Sequence, residues 1–449
     1  MASGEWSWVA DFSSQVKNVN PSDELELWRK QSIYRVPACI KDLNSKAYKP
    51  QVVSFGPFHH GEAQVMPMEE HKHRALLHFL KRSVKPLEDF VTEMEEVVEQ
   101  LQDAYQNLDE HWRRGRQEFL QLMIVDGCFM LEIMRVSTGR SNDYTFNDPI
   151  FSSHGVLYTV PYIRRDMLMI ENQLPLLVLE KLVAVETGKS RIDDQINKQV
   201  LKFYAPIARP PPPGLGLGLH PLDLFRRSLL HGPTHRSPTR SETGSSEIIR
   251  SAVELYEAGI RFKRSKTSSL RDIKFSHGVL SLPVIVVDDN TEFMFLNLMA
   301  FERLHVGAGN EVTSYVFFMD NIIDSAKDVS LLNFRGIIQN AIGSDKAVAK
   351  LFNSLSKDVV LDPESSLDHV HREVNEYCRK RWNMWRANLI HTYFRSPWAF
   401  LSLAAAIFLL LNTVAQTLYT VLSYYQQLES GGSPPSPPEL APPPFHSPH

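Results

Sequence analysis

The sequence predicts a mainly α-helical protein: a large helical body with a small β-hairpin region and one C-terminal transmembrane helix. Three observations predict this fold class. Apolar residues recur at helical spacing along most of the chain. Two short apolar runs flank the turn residues Asp288-Asp289-Asn290, which is typical of a hairpin. From Pro397 to about Leu422 the chain has no charged residue, as expected of a membrane span.

The N-terminal segment, residues 1–30, is polar and is expected to be loose apart from a short helix. The helical body is expected over residues 31–396. It begins with the stretch IYRVPACIKDLNSKAYKPQVVSFGPFHHGE, in which three prolines oppose helix formation because proline lacks a backbone N–H. We therefore expect an irregular packed segment with a short strand near Val52–Ser54.

Four apolar helical stretches follow. One runs from Met68 to Val84. Residues from about Leu87 to Leu108 repeat its pattern, and this second helix is expected to pack against its neighbours in an antiparallel hairpin. The stretch RQEFLQLMIVDGCFMLEIMRV is apolar almost all round, which favours the middle of a helical core. The stretch DMLMIENQLPLLVLEKLV is equally apolar, and Pro175 predicts a break within it.

A change of composition marks residues 208–247. Pro and Gly runs and a Ser/Thr/Arg-rich end predict a linker inserted into the body, interrupted by a short helix over LDLFRRSLL. A helix is then expected over about Ile248–Ala258, ended by Gly259. Further helices are expected from Asn297 to the membrane span, one of them starting at Asp362-Pro363.

The charge-free stretch is expected to cross a membrane over residues 397–425. As a helix, the part from Pro397 to Leu422 is roughly 39 Å long, against a hydrocarbon core of about 30 Å. Trp398 and Tyr419 lie near its two ends, where aromatic rings favour the headgroup level. Asn412 and Gln416 are one turn apart on one face.

The charges beside the span predict its direction. Basic residues precede it at Arg379, Lys380, Arg381, Arg386 and Arg395, and no Lys or Arg follows it. Positive charge normally stays on the cytoplasmic side, so a cytosolic body is expected, at the plasma membrane or an endomembrane. The N-terminus has no basic start followed by an apolar run, so no signal peptide is expected. The Pro-rich tail, residues 426–449, is expected to be disordered.

Charge and cysteine content narrow the class of protein. The formal net charge of −4 offers no case for a nucleic-acid partner. Cys39, Cys128 and Cys378 have neither metal-binding nor redox spacing, and a reducing compartment suits them.

Several motifs stand in one order along the chain: IYRVP, VVSFGPFHHG, VDGCF, DMLMIENQLP and IKFSHGVLSLPVIVVDD, followed by a single span. In these motifs the chain resembles the plant domain of unknown function 247 family, from about Ile33 to the span. The resemblance implies a plant protein, predominantly α-helical, with one C-terminal membrane helix. Some grass members are associated with pollen-side self-incompatibility, and no motif assigns this chain to that subgroup.

A first candidate site is a cluster of histidines and glutamates within twenty residues: His59, His60, His71, His73, His78, Glu69 and Glu70. Imidazoles and carboxylates could bind zinc. Against this, His71 and His73 are two apart on a helix and point to different sides. His59-His60 lie beside Gly61, which also fits a turn. We therefore assign no metal site.

A second candidate site consists of polar residues in the most apolar helices: Asp126, Asp166, Glu171 and Asn172. Buried carboxylates with separated pKa values could act as acid and base. Alternatively, they form a buried polar network that fixes helix register, with Arg164 or Arg165 as partners. The network is the interpretation that we expect to hold.

Three further patterns have ordinary explanations. Asp288-Asp289-Asn290 could hold a divalent cation, but a turn explains it. The basic run Arg261–Lys266 could touch anionic lipid, but a solvated helix end also carries such charges. The run GLGLGL resembles a phosphate loop only in its glycines. We assign no catalytic, cofactor-binding or metal-binding residue.

Two hypotheses for the function follow. The first is a membrane-tethered interaction or signalling protein whose helical body binds a protein partner. The second is an enzyme of unrecognised type that uses Asp126 and Glu171 or the histidine cluster. A stoichiometric metal in the purified protein would favour the enzyme.

Overall fold

The computed structural model describes residues 7–18, 20–42, 44–139, 143–189, 192–205, 214, 216–232, 249–357, 367–389 and 397–429. The protein is mainly helical with a few short strands and one long apolar C-terminal helix, which confirms the predicted fold class. It divides into two compact units. The first comprises Met1–Tyr256 and Ile260–Tyr377, and the second comprises Glu257–Gly259 and Cys378–His449.

The helices and strands follow each other in this order. The helices up to residue 230 are α1 (Ser7–Asn18), α2 (Pro21–Lys30), α3 (Ala38–Lys41), α4 (Pro67–Ser83), α5 (Leu87–Glu95), α6 (Val98–Asp103), α7 (Glu110–Arg114), α8 (Arg116–Ser137), α9 (Ser153–Tyr158), α10 (Val160–Asp166), α11 (Leu176–Thr187), α12 (Asp193–Phe203) and α13 (Pro221–Leu230), with a 3₁₀ turn at Ser45–Tyr48. The later helices are α14 (Ala252–Glu257), α15 (Thr291–Leu304), α16 (Glu311–Ile322), α17 (Ala326–Phe334), α18 (Asp345–Leu355), α19 (Asp368–Arg379), α20 (Arg381–Leu389) and α21 (Pro397–Glu429). The strands are β1 (Arg261–Arg264), β2 (Lys274–Ser276), β3 (Val279–Leu282), β4 (Ile285–Val287) and β5 (Ile338–Asn340).

Helix α8 forms the centre of the first unit. Every residue from Leu122 to Val136 is buried, as its all-round apolar pattern predicts. It packs against α4, α5, α11 and α12. Gly127 lets α11 approach closely, because a Cβ at this position would lie 2.6 Å from Leu182 Cδ1 and 2.7 Å from Val178 Cγ1.

The strands form two small sheets. β3 pairs with β1 in parallel and with β2 in antiparallel, and β4 pairs with β5 in parallel. The hairpin predicted at Asp288-Asp289-Asn290 is therefore wrong, since β4 ends at Val287 and α15 begins at Thr291. Asp288 Oδ1 accepts hydrogen bonds from the Asn290 N–H and the Thr291 hydroxyl, so these polar residues start a helix. The antiparallel hairpin lies earlier and joins β2 to β3.

Two other local predictions are wrong. Val52–Ser54 is no strand, because the N–H groups of Val52 and Val53 bond to the Asp166 side chain rather than to a neighbouring strand. The helix expected from Leu87 to Leu108 is broken between α5 and α6, where the Val97 N–H bonds three residues back to the Met94 carbonyl. No Gly or Pro marks that break in the sequence.

The N-terminal segment and the predicted break have definite structures. Residues expected to be largely loose form α1 and α2, and Asn20 Oδ1 caps α2 by accepting a bond of 3.1 Å from the Ser22 N–H. The break predicted at Pro175 is confirmed, because α10 ends at Asp166 and α11 begins directly after Pro175.

Part of the predicted linker packs in the core. The short helix expected there is α13, and eight of its residues are buried. Before it, the buried Asn197 donates to the Gly216 carbonyl at 2.7 Å and accepts from the Gly218 N–H at 3.3 Å. The Leu219 carbonyl accepts a bond from the Leu176 N–H, at the start of α11. The Pro run and the Ser/Thr/Arg-rich end lie outside the described residues.

The second unit contains α20 and α21. Within α21 the stretch Trp398–Gln426 is long and apolar enough to cross a membrane, and it is the one such helix in the part of the chain that the structure describes. None of its most apolar window is buried. The helix start predicted at Asp362-Pro363 and the tail beyond Glu429 fall outside the described residues.

Candidate functional site

The segment Glu171-Asn172-Gln173 lies between α10 and α11 and is buried in full. We call it the ENQ segment. Three consecutive polar side chains in such a place each need hydrogen-bond partners, because an unpaired buried polar group is costly. Each of the three finds its partners in a different part of the first unit.

Asn172 and Asp166 hold the extended residues before α4. Asn172 Oδ1 accepts a bond of 2.7 Å from the Phe55 N–H, and its Nδ2 donates to the Val53 carbonyl at 3.0 Å. Asp166 Oδ2 accepts from the N–H groups of Gln51, Val52 and Val53 at 2.7–3.2 Å. The two side chains therefore occupy the place that a neighbouring strand would take.

Glu171 fixes the segment that leads into α3. Its carboxylate accepts a bond of 2.5 Å from the Val36 N–H and pairs with Lys41 at 2.7 Å. His59 Nε2 lies 3.5 Å from the same carboxylate. Burial acts to raise the pKa of Glu171, but the bonds from His59, Lys41 and the Val36 N–H outweigh it and hold the pKa below its usual value. Glu171 is therefore an ionised structural acceptor.

Gln173 connects the ENQ segment to α13. Its Nε2 donates to the carbonyls of Met167 and Met169 at 2.7 and 2.6 Å, and its Oε1 accepts from the Leu222 N–H at 3.0 Å. The Tyr105 hydroxyl donates to the Gln173 backbone carbonyl at 3.0 Å. The first part of α13 is thereby attached to the core. Sequence reasoning missed Gln173, although it adjoins Asn172.

Asp126 lies in α8 and forms a buried pair with Lys72, next to the contact between Asn172 and Phe55. Both side chains are fully buried, and Lys72 Nζ lies 2.7 Å from Asp126 Oδ1 and 2.7 Å from Glu69 Oε1. Asp126 Oδ2 accepts a bond of 2.8 Å from the Gly56 N–H. Burial raises the pKa of Asp126 above its usual value, and the Lys72 charge opposes this rise. Sequence reasoning missed Lys72, because a lysine on the polar side of an amphipathic pattern is usually solvated.

The two arginines predicted as partners of the buried carboxylates make different contacts. Arg165 lies 3.4 Å from Asp166 Oδ1, which agrees with the predicted network. Arg164 makes a cation–π contact instead, with its guanidinium carbon 4.7 Å from the centre of the Phe203 ring. Every predicted carboxylate is thus engaged by N–H groups or cations.

The histidines of the predicted cluster do not converge. His59 Nδ1 lies 2.7 Å from Glu62, in addition to its contact with Glu171. The others have separate partners: His60 contacts Trp112, His71 bonds to Arg74, His73 to the Glu69 carbonyl, and His78 stacks on Tyr144. Within the described ranges no group of three or more His, Cys, Asp or Glu could hold a metal ion.

A cleft of about 580 Å³ opens where α4, α7 and the start of α8 meet. Its polar and aromatic lining consists of His60, Glu69, His73, His111, Trp112, Glu118 and Gln121, with Leu122 and Val125. Glu69 links this cleft to the buried Lys72–Asp126 pair. His111 and Glu118 lie 3.4 Å apart, and both are exposed. Sequence reasoning found His60, Glu69 and His73 but not the residues from α7 and α8.

The remaining candidates are local features. Asp288 bonds within its own turn. Arg261–Arg264 forms β1, in which Phe262 is buried and the other three side chains are exposed, so the basic run is the solvated face of a strand rather than a helix end. The buried network and the open cleft are the features from which a function must be argued.

Comparison with known proteins decides the family. The sequence model of DUF247, described as "Plant protein of unknown function", matches residues 33–412. The chain belongs to this family. The UPF0481 protein At3g47200 of Arabidopsis thaliana is 32% identical over 438 residues, covering 90% of this chain and 89% of the relative. The UPF0481 protein At3g02645 of the same plant is 24% identical over 501 residues, covering 89% and 92%. No solved structure matches the chain.

The motifs by which the chain resembles DUF247 proteins meet in the buried network. VVSFGPFHHG supplies the N–H groups of Phe55 and Gly56, VDGCF supplies Asp126, and DMLMIENQLP supplies Asp166 and the ENQ segment. In this DUF247 chain the motifs therefore build the scaffold of the first unit. The cleft lies beside them and shares Glu69.

Proposed function

We propose that the protein is a membrane-tethered interaction protein whose helical body binds a protein partner on the cytosolic side. The observation that carries the proposal is α21. Its stretch Trp398–Gln426 has 29 residues and no charge. At 1.5 Å per residue it reaches roughly 43 Å, more than the hydrocarbon core requires.

The charges near α21 support the direction. Arg379, Lys380, Arg381 and Arg386 lie before the span, whereas the sequence after it has no Lys or Arg. This bias is the one that keeps a flanking segment on the cytoplasmic side. The association of some grass relatives with pollen self-incompatibility is one setting for such a protein, and the proposal does not depend on it.

The cleft supports the choice of a binding role. The candidate catalytic carboxylates Asp126, Asp166 and Glu171 are buried and engaged by backbone N–H groups and cations. The cleft is instead open to solvent and contains Trp112, and tryptophan is among the residues enriched at interface hot spots. We therefore place the partner contact at the cleft.

The test compares two matched substitutions in the full-length protein. Gln121→Arg puts a long cationic side chain into the cleft from the exposed surface of α8, and Gln195→Arg makes the same change on the exposed surface of α12. Proximity labelling in plant tissue should give a labelled set that Gln121→Arg reduces several-fold and Gln195→Arg leaves unchanged. Equal labelling by the wild type and both variants, at equal protein level, would contradict a partner at the cleft.

A further inference from the structure

Two side-chain amides lie deep inside α21. Asn412 is 14 residues from Trp398 and 14 from Gln426, the two ends of the apolar stretch, so it lies at the midpoint. Gln416 is one turn further on the same face. If α21 crosses a membrane, Asn412 is roughly 21 Å from either end of the span. Water is scarce at that depth, so each amide needs a hydrogen-bond partner in protein.

The serine and threonine hydroxyls of α21 all bond within the helix, whereas the amides of Asn412 and Gln416 are not fully satisfied in this way. Ser402, Thr413, Thr417, Thr420 and Ser423 each donate to the carbonyl four residues earlier, at 2.8–3.0 Å.

The Asn412 amide makes one such bond, to the Phe408 carbonyl at 2.9 Å. Its second N–H and its oxygen are still available, because a primary amide offers two donor hydrogens and one acceptor oxygen. No hydrogen bond to the Gln416 side chain occurs among the described residues.

The missing partners must come from another molecule. Within the described residues α21 is the one helix of spanning length, so no second span of this chain offers a polar group at that depth. A second copy of the chain always offers a polar group at that depth. Copies inserted in the same direction are parallel, and Asn412 of each then lies at the same depth as Asn412 of the other. An amide is both donor and acceptor, so two identical amides can pair reciprocally across a two-fold axis.

We infer that α21 forms a parallel homodimer through the face that carries Ala405, Asn412 and Gln416. Ala405 precedes Asn412 by seven residues and lies on the same face, where its small side chain lets two backbones approach. Asn412 and Gln416 then pair with their counterparts in the second copy. The inference rests on the proposed membrane tether, and it adds that the tethered protein is a dimer.

The test measures energy transfer between two differently labelled full-length copies in liposomes at low protein density. Energy transfer between wild-type copies should exceed the level expected from random proximity in the membrane. Asn412→Leu with Gln416→Leu should weaken dimerisation by about tenfold or more, since interhelical amide bonds are the main attraction removed. Thr413→Val with Thr417→Val is the matched control, because those hydroxyls bond within the helix, and it should leave the transfer unchanged.

A second measurement identifies the face. Ala405 lies on the proposed interface, and Leu403, two residues earlier, lies on nearly the opposite side of the helix. Ala405→Cys should form an intermolecular disulfide under mild oxidation in the membrane. Cross-linking of Leu403→Cys should not exceed the background that the native cysteines give. Equal cross-linking at both positions would overturn the proposed face.

The outcomes separate the dimer from the tether. A wild type that resists alkaline extraction from the liposomes, yet transfers no energy above random proximity, would overturn the dimer and leave the tether intact. The dimer is likewise overturned if the amide variant transfers as much as the wild type, or if the threonine control loses as much as the amide variant. A wild type that is extracted by alkali would overturn the tether, and the dimer with it.

Discussion

At the scale of single residues, the ENQ segment shows how a few buried side chains can hold several loops. Glu171 bonds to the segment before α3, Asn172 to the extended residues before α4, and Gln173 to the start of α13. Each substitution there leaves a backbone N–H or carbonyl without its partner. Since such an unpaired buried group costs about 1–3 kcal/mol, these residues act on stability first.

The Lys72–Asp126 pair gives the sharpest test of this structural role. Asp126→Asn keeps an acceptor for the Gly56 N–H but removes the fully buried one of the two carboxylates that contact Lys72, the other being Glu69. We expect a loss of about 3 kcal/mol in the free energy of unfolding. Lys72→Met should cost a similar amount, and the double variant should cost less than the sum by about 1–3 kcal/mol.

The measurement is denaturant unfolding of the four proteins in the cycle. Glu110→Gln is the control, because Glu110 is exposed and pairs with the exposed Arg114, so no measurable change is expected. Strictly additive losses would show that Lys72 and Asp126 are not coupled. Loss of a biological function with unchanged stability in both single variants would favour the catalytic hypothesis.

A buried histidine makes the stability depend on pH. His220 Nε2 bonds to the Ser32 carbonyl at 3.0 Å, and its Nδ1 accepts the Asp223 N–H at the start of α13, so the imidazole is neutral. Burial lowers its pKa from 6.5 to about 4. Between these values the unfolded chain binds a proton that the folded chain does not. Stability therefore falls as the pH falls from 6.5 to 4, by roughly 3 kcal/mol for this group.

His220→Asn removes this titration and keeps a side-chain oxygen that can cap α13. We expect the variant to be less stable at neutral pH because of the smaller side chain, but its stability should change less steeply between pH 6.5 and 4. Burial also lowers the pKa of His371 to about 4. The stability of both proteins therefore still depends on pH through this second histidine. If the free energies of unfolding of the wild type and the variant changed equally with pH over this range, the assignment of the titration to His220 would be contradicted.

At the scale of elements, the sequence predicts those features that have a local physical cause. Pro175 removes a backbone donor, so the break before α11 is predictable, and the all-round apolar pattern of α8 reveals a central helix. The break between α5 and α6 has no Gly or Pro to announce it. Val52–Ser54 has the composition of a strand, but the backbone groups of Val52 and Val53 bond to side chains more than a hundred residues away.

The segment before α13 allows a test of tertiary packing at this scale. From composition alone, deletion of Arg209–Gly218 should leave the fold intact, since linkers contribute little buried area. In the structure, Gly216 and Gly218 are both bonded to the buried Asn197. We therefore expect this deletion to cost about 1–3 kcal/mol. Deletion of residues 209–213 alone keeps those bonds and should cost much less. Thermal unfolding of both variants decides between the two expectations.

The candidate site could be predicted only in part. Asp126, Asp166, Glu171 and Asn172 are recognisable because polar residues stand out in apolar helices. Lys72 could not be found in this way, since it lies among the many charged residues of α4, where nothing in the sequence marks one lysine as buried. The α7 and α8 residues of the cleft could not be found either, because only folding brings them close to His60 and Glu69.

At the scale of the whole molecule, the first unit with its buried network is followed along the chain by one helix that is long and apolar enough to cross a membrane. The buried network gives these motifs a structural role in the first unit. The apolar stretch of α21 explains where the protein would act. Changes in the network should therefore lower the amount of folded protein, whereas changes in α21 should alter its location.

Fractionation tests the claim that α21 tethers the protein to a membrane. Full-length protein and a chain ending at residue 396 are expressed at equal levels, and membranes are washed with salt and then with alkali. We predict that the full-length protein stays in the membrane pellet through both washes and that the shortened chain is soluble and folded. Release of the full-length protein by alkali, or a shortened chain that stays in the washed pellet, would contradict the claim.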